Sequence, residues 1–126
     1  DSHGHDIGDR ALRVFADTLS TSTTDDMVSG RWGGEEFVVL IPAAGTSSAV
    51  AAAEAVRHGL AGALRSGAVP AFTVSIGVAD STQAPTFDEV LNLADDALFR
   101  AKQIGRDRVV TADELTAPVD ADLYAV

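Results

Sequence analysis

Apolar residues recur along this chain with two periods, and the periods alternate. Ile7, Ala11, Leu12, Phe15 and Leu19 fall at helical spacing, which predicts an amphipathic helix over residues 6 to 20. The run from Ser20 to Asp26 is polar and turn-rich and is expected to be an exposed loop. Met27 to Trp32 and Phe37 to Ile41 flank Gly33-Gly34-Glu35-Glu36, which predicts a hairpin ended by Pro42 to Gly45. Ala49, Val50, Ala53, Val56, Leu60 and Leu64 form a second helical stripe, with Thr46 or Ser47 able to cap it. Phe72, Val74, Ile76 and Val78 alternate with Thr73, Ser75 and Gly77, the pattern of a half-buried strand. Thr86 and Glu89 have the spacing of a capping box ahead of a third stripe, Val90, Leu91, Ala94, Leu98 and Ala101. Gly105 is placed to stop that helix, and Arg108 to Thr111 reads as a last short strand. Residues 112–126 are acidic, have no clear period and read as a loose or partly helical tail.

The order is helix, hairpin, helix, strand, helix, short strand. Helices between strands imply an α/β layer with helices packed on a sheet. Composition changes this picture little. A chain of 126 residues is long enough for one domain with a substantial core. It is 46% hydrophobic and 6% aromatic, so Ala, Val, Leu and Ile must build most of that core. Charge narrows the partners. The formal net charge of -10 and a pI near 4.4 supply no basic field for phosphate chains, which argues against nucleic acid and anionic membrane surfaces. A small phosphate ligand met by a few local cations remains compatible with it. With no cysteine there is no disulfide framework and no thiolate metal site. No apolar run reaches the ~20 residues that a membrane span needs, and no signal peptide is visible.

The candidate chemistry lies at the hairpin turn. Glycines there permit positive φ and close approach of a ligand. Adjacent carboxylates are hard oxygen donors suited to Mg2+, which takes one or two carboxylates together with substrate phosphates. Taken alone, the turn is better read as a plain Gly-Gly hairpin with solvated glutamates, since Gly-Gly turns are common hairpin signals. The other blocks weigh against that bland reading: Gly4-His5-Asp6-Ile7-Gly8-Asp9, Thr73 to Val78, Ala94 to Lys102, and Gly105-Arg106. In this order around Arg31-Trp32-Gly33-Gly34-Glu35-Glu36-Phe37, they resemble the GGDEF domain of diguanylate cyclases, over Asp1 to about Val110.

The resemblance implies a ferredoxin-like or nucleotide-cyclase-like sandwich, with helices on a central, mainly antiparallel sheet. It implies an enzyme that joins two GTP into cyclic di-GMP and releases pyrophosphate, in bacterial second-messenger signalling. Glu35 matches the family's metal-binding carboxylate, and Glu36 a second acidic group beside it. The cofactor implied is Mg2+, with Mn2+ an alternative. Gly33 and Gly34 match the glycines that leave room for nucleotide. Asp9 matches the carboxylate that reads guanine, which offers N–H donors on one edge. Lys102 and Arg106 match the pair that meets the terminal phosphates; they are four apart at a predicted helix end, so both cations can reach one pocket. Lys102 near a helix C-terminus also suits the helix dipole alone. Each domain of the family holds one GTP, so a homodimer with facing sites is implied. So are an upstream sensor and a cytoplasmic location, within a longer protein that is free or membrane-attached. The domain itself is expected over 1–111, with 112–126 as tail and no membrane contact of its own.

Two departures from the family pattern stand out. The segment Thr23-Thr24-Asp25-Asp26-Met27 occupies the place of an inhibitory Arg-x-x-Asp product site and holds no arginine, and Ala55 is not basic. Tight product inhibition through that loop is therefore not expected. The family also has a strand before Asp1, carrying another metal-binding Asp. Its lack here predicts a weak or inactive chain in isolation and a sheet short of its first strand, whose neighbours would expose ladder groups. The alternative to an enzyme is a catalytically inactive module of the same type that binds GTP or a protein and regulates a neighbouring domain. A domain freed from catalysis has no need of Asp9, the Gly-Gly-Glu-Glu turn, Lys102 and Arg106 together, which favours the enzyme.

Overall fold

Seven of the nine elements follow the predicted order, and most of the differences lie at their ends. The computed structural model describes residues 2–31, 36–42, 45–67 and 69–116. In sequence they form helix α1 (Ser2–Ser22), strands β1 (Val28–Arg31) and β2 (Phe37–Leu40), helix α2 (Thr46–Ala63) with a 3-10 turn (Leu64–Ser66), strand β3 (Ile76–Val78), helix α3 (Phe87–Gln103), strand β4 (Val109–Thr111) and helix α4 (Ala112–Thr116). Their contacts divide the chain into two units, residues 1–73 and 74–126.

In the first unit α1 packs on α2. The predicted stripes supply the buried side chains: Leu19 from α1 and Ala53, Val56 and Leu60 from α2, joined by Val69. Helix α1 runs past the predicted end at residue 20. Hydroxyls explain this: Thr18 donates to the Val14 carbonyl at 2.9 Å, Thr21 to Thr18 at 3.0 Å and Thr23 to Leu19 at 2.9 Å. The Thr23 bond serves the Leu19 carbonyl, one of the last four of the helix, which have no partner within it. Neither Thr46 nor Ser47 caps α2. Gly45 takes the N-cap position in an extended conformation, and its carbonyl accepts from Ala49 N at 3.1 Å. Strands β1 and β2 pair antiparallel, Val28 opposite Leu40 and Arg31 opposite Phe37.

In the second unit β3 and β4 pair parallel, Ile76 opposite Val109 and Val78 opposite Thr111, with α3 as the crossover between them. Among the described residues the strands thus form one antiparallel and one parallel pair. The alternating segment predicted from residue 72 is strand only over Ile76–Val78, because residues 72–75 have no ladder partner among the described residues. Helix α3 starts as predicted: the Thr86 hydroxyl accepts from Glu89 N at 3.2 Å, with Asp88 and Glu89 in the first turn where the helix dipole favours them. Ala97, Ala101 and Val110 make the core of this unit, and Leu115 of α4 packs against them. Alanines dominate because α3 lies directly on β3. A Cβ added at Gly77 would overlap the Ala94 carbonyl and the Leu98 nitrogen and sit 3.0 Å from Leu98 Cα. Residues 112–116 of the predicted tail are thus helical, and 117–126 lie outside the described residues.

Candidate active site

The hairpin is framed as the sequence predicts. Its last pair, Arg31 and Phe37, bounds the segment that holds both glycines and both glutamates. Gly33, Gly34 and Glu35 lie outside the described residues; Glu36 is exposed and precedes the first residue of β2. Phe37 supplies an anchor that the sequence reading missed. Its ring meets Phe15 of α1 edge-on, with centroids 4.9 Å apart and planes at 63°, an arrangement worth about 0.5–1.5 kcal/mol beyond area burial. The available signal was one aromatic on a helical stripe and one at a strand start. This contact docks the hairpin on the helix that carries Asp9. Asp9 is exposed, six residues before Phe15 and so about 9 Å away along the axis at 1.5 Å per residue. Gly8 beside it is also exposed, with nothing within 4 Å of where a Cβ would stand.

The second unit carries the candidate phosphate cations. Lys102 is exposed in the last turn of α3. Arg106 is not on the helix, which corrects the helical-spacing argument for the pair. Helix α3 ends at Gln103 with Ile104 as its cap. Gly105 follows at φ 128°, and Arg106 N donates back to the Ala101 carbonyl at 2.8 Å. This is the long bond of a Schellman cap, with glycine in the position that requires positive φ. The chain reversal returns Arg106 to the end of the helix that bears Lys102. Arg106 and Asp107 continue at φ 63° and 49°, a left-handed conformation that costs a non-glycine residue roughly 1–2 kcal/mol. Arg108 Nε donates to the Arg106 carbonyl at 2.9 Å, and the Arg108 carbonyl accepts from Ile76 N at 2.9 Å.

The loop between α1 and β1 is closed on itself. Met27 N donates to the Thr24 carbonyl at 3.0 Å, and the Thr24 hydroxyl donates to the Asp26 carboxylate. Among the described residues no three His, Asp or Glu side chains converge as a metal cluster. The adjacent carboxylates of Glu35 and Glu36 fit a hard cation by donor chemistry, since Mg2+ is held by few protein oxygens and keeps several waters.

Helices packed against short strands in this order give an α/β fold of the nucleotide-cyclase-like class, and solved structures share it. The GGDEF domain of DgcB from Caulobacter crescentus in complex with c-di-GMP superimposes with a TM-score of 0.76 at 27% identity, over 90% of this chain and 69% of that one. Diguanylate cyclase SiaD from Pseudomonas aeruginosa, in complex with its activator SiaC, gives a TM-score of 0.73 at 35% identity, over 88% and 44%. The family model described as "Diguanylate cyclase, GGDEF domain" matches residues 1–108. This chain belongs to the GGDEF-domain family. Among curated relatives, diguanylate cyclase DgcM of Escherichia coli is 44% identical over 112 residues, which is 89% of this chain and 27% of DgcM. Response regulator PleD of Caulobacter vibrioides is 37% identical over 87% of this chain and 25% of PleD. The chain therefore spans about a quarter of the length of these curated relatives.

Proposed function

We propose that residues 1–111 are the catalytic domain of a diguanylate cyclase, which condenses two GTP into cyclic di-GMP with release of pyrophosphate, and that 112–126 form an acidic tail. The observation that carries this reading is the β1–β2 hairpin, in register from Val28–Leu40 to Arg31–Phe37, framing Gly33-Gly34-Glu35-Glu36 in a chain of this family. In each half-reaction a 3′-hydroxyl gives up its proton to water and its oxygen bonds to the α-phosphorus of the other nucleotide. The bond from that phosphorus to the bridging oxygen breaks, and pyrophosphate leaves with its electron pair. Catalysis of such transfers rests on positioning and electrostatics.

The chain's own groups divide that work. Asp9 accepts hydrogen bonds from the N–H edge of guanine. Gly33 and Gly34 let the nucleotide lie against the hairpin backbone. Lys102, in the last turn of α3, and Arg106, in the cap that follows, bind the terminal phosphates and favour the leaving pyrophosphate. Glu35, with Glu36 beside it, would hold the divalent ion. When bound, Mg2+ or Mn2+ neutralises phosphate charge and lowers the pKa of the attacking hydroxyl. Since the product contains two identical nucleotides, two domains face each other, each presenting one GTP. The reading places the reaction in the cytoplasm, where GTP is held. The described helices include none long and apolar enough to cross a membrane. It also places a sensor or regulatory region outside this span, which accords with the quarter-length match to the relatives.

The test is GTP turnover by the full-length protein with Mg2+ over a range of protein concentrations, cyclic di-GMP being read by mass. The expected result is product formation whose rate per chain rises with concentration. Chelation should abolish it, and Glu35→Gln should lower it roughly 10²–10³-fold, the scale of losing one preorganised electrostatic group. A folded, dimeric wild type that makes no product would overturn the enzyme and leave a GTP- or protein-binding regulatory module.

A further inference from the structure

We infer that Arg108 is a positioning residue for Arg106: it fixes the left-handed turn from which Arg106 reaches the terminal phosphates of GTP. This rests on the phosphate role proposed for Arg106. Both peptide groups of Arg106 are held. Its N–H is bound to the end of α3 through the Ala101 carbonyl at 2.8 Å, and its carbonyl accepts from Arg108 Nε at 2.9 Å. The far end of the Arg108 guanidinium lies against the bare face of Gly105, 2.7 Å from where a Cβ would stand. Arg108 itself does not drift with the turn, because its carbonyl accepts from Ile76 N at 2.9 Å where the β3–β4 ladder begins. One side chain therefore ties the sheet to a reversal whose φ angles, 128°, 63° and 49°, are all positive. Nε donates to the Arg106 carbonyl while a terminal nitrogen of the same guanidinium occupies the space beside Gly105. Arg108 is half-buried, whereas Arg106 is exposed. The two arginines of one short motif thus have different work: one meets phosphate, the other holds the first in place.

The experiment is a double-mutant cycle in the full-length protein, using Arg108→Met, Arg106→Ala and both together. Affinities for GTP and GMP are measured by calorimetry, and folding is checked by circular dichroism. Arg108→Met should weaken GTP between about threefold and tenfold, the fold-change of one lost net hydrogen bond. GMP, which lacks the terminal phosphates, should keep its affinity. The Arg108→Met effect should vanish in the Arg106→Ala background, because residues acting through each other are not additive. Additive losses, equal losses for GTP and GMP, or no loss from Arg108→Met would each overturn the inference while leaving the phosphate role of Arg106 standing. Unchanged GTP affinity in Arg106→Ala would remove that role, and this inference with it. If Arg108→Met does not fold, Arg108→Lys, which keeps the cation and loses the planar donor, is read against the same outcomes.

Discussion

Gly8 is the residue whose presence packing does not explain. It lies inside α1, is exposed, and has nothing within 4 Å of where a Cβ would stand. Glycine there costs the helix about 0.5–1 kcal/mol relative to alanine. Gly8 precedes Asp9, the proposed guanine reader, and under that proposal a bare backbone there leaves room for the ligand. Gly8→Ala should therefore move two quantities in opposite directions. Thermal unfolding should show a protein stabilised by about 0.5–1 kcal/mol, and GTP titration should show weaker binding; a gain in stability with unchanged GTP affinity would remove Gly8 from the site. Asp9, Glu36, Lys102 and Arg106 are singled out in the sequence by residue type and order, and all four are exposed. Phe37 was legible only as a strand residue, because a ring contact between segments far apart in the chain leaves no local pattern. The helical-spacing argument for Lys102 and Arg106 fails for a related reason. A spacing of four suggests one helix face, but the helix ends at Gln103, between them, and Arg106 is held at the helix end by its backbone bond to the Ala101 carbonyl instead.

At the scale of elements, apolar periodicity located every helix and strand that it predicted, and hydrogen bonds decided where they end. The hairpin is right to within a residue at each end because the apolar run from Phe37 and the Gly-Gly turn signal bound its strands on both sides. The ends of α1 and α2 were not, since threonine hydroxyls prolonged one and a backbone-only cap at Gly45 began the other. The β3–α3 contact is where an element depends most on one position. Gly77 brings the strand against the helix backbone, and the atoms that a Cβ would strike, in Ala94 and Leu98, are main-chain atoms with no rotamer to change. Gly77→Ala should destabilise the protein by about 3 kcal/mol or more, the upper range for overpacking, measured as a fall in denaturation midpoint. A loss under about 1 kcal/mol would mean that α3 can move off the strand without penalty. Glycine in an alternating strand carried a weak signal of such an approach, but the sequence could not say which helix would make it.

For the whole molecule, acidity and the closed loop between α1 and β1 bear on regulation. With a net charge of -10, no arginine between Thr23 and Met27, and Thr24 already engaged with Asp26, that loop offers nothing basic to a cyclic dinucleotide. Titration of the full-length protein with cyclic di-GMP should show no micromolar site there, and turnover should continue as product accumulates; tight inhibition relieved by Asp26→Ala would contradict this. The framed hairpin has one more consequence, which is optical. The chain has a single tryptophan, Trp32, and it stands between the last ladder residue of β1 and Gly33. Intrinsic indole emission from this span therefore originates beside the proposed metal and nucleotide site. Its intensity and wavelength report on that hairpin without any label, and other tryptophans of a longer chain can be replaced to isolate it.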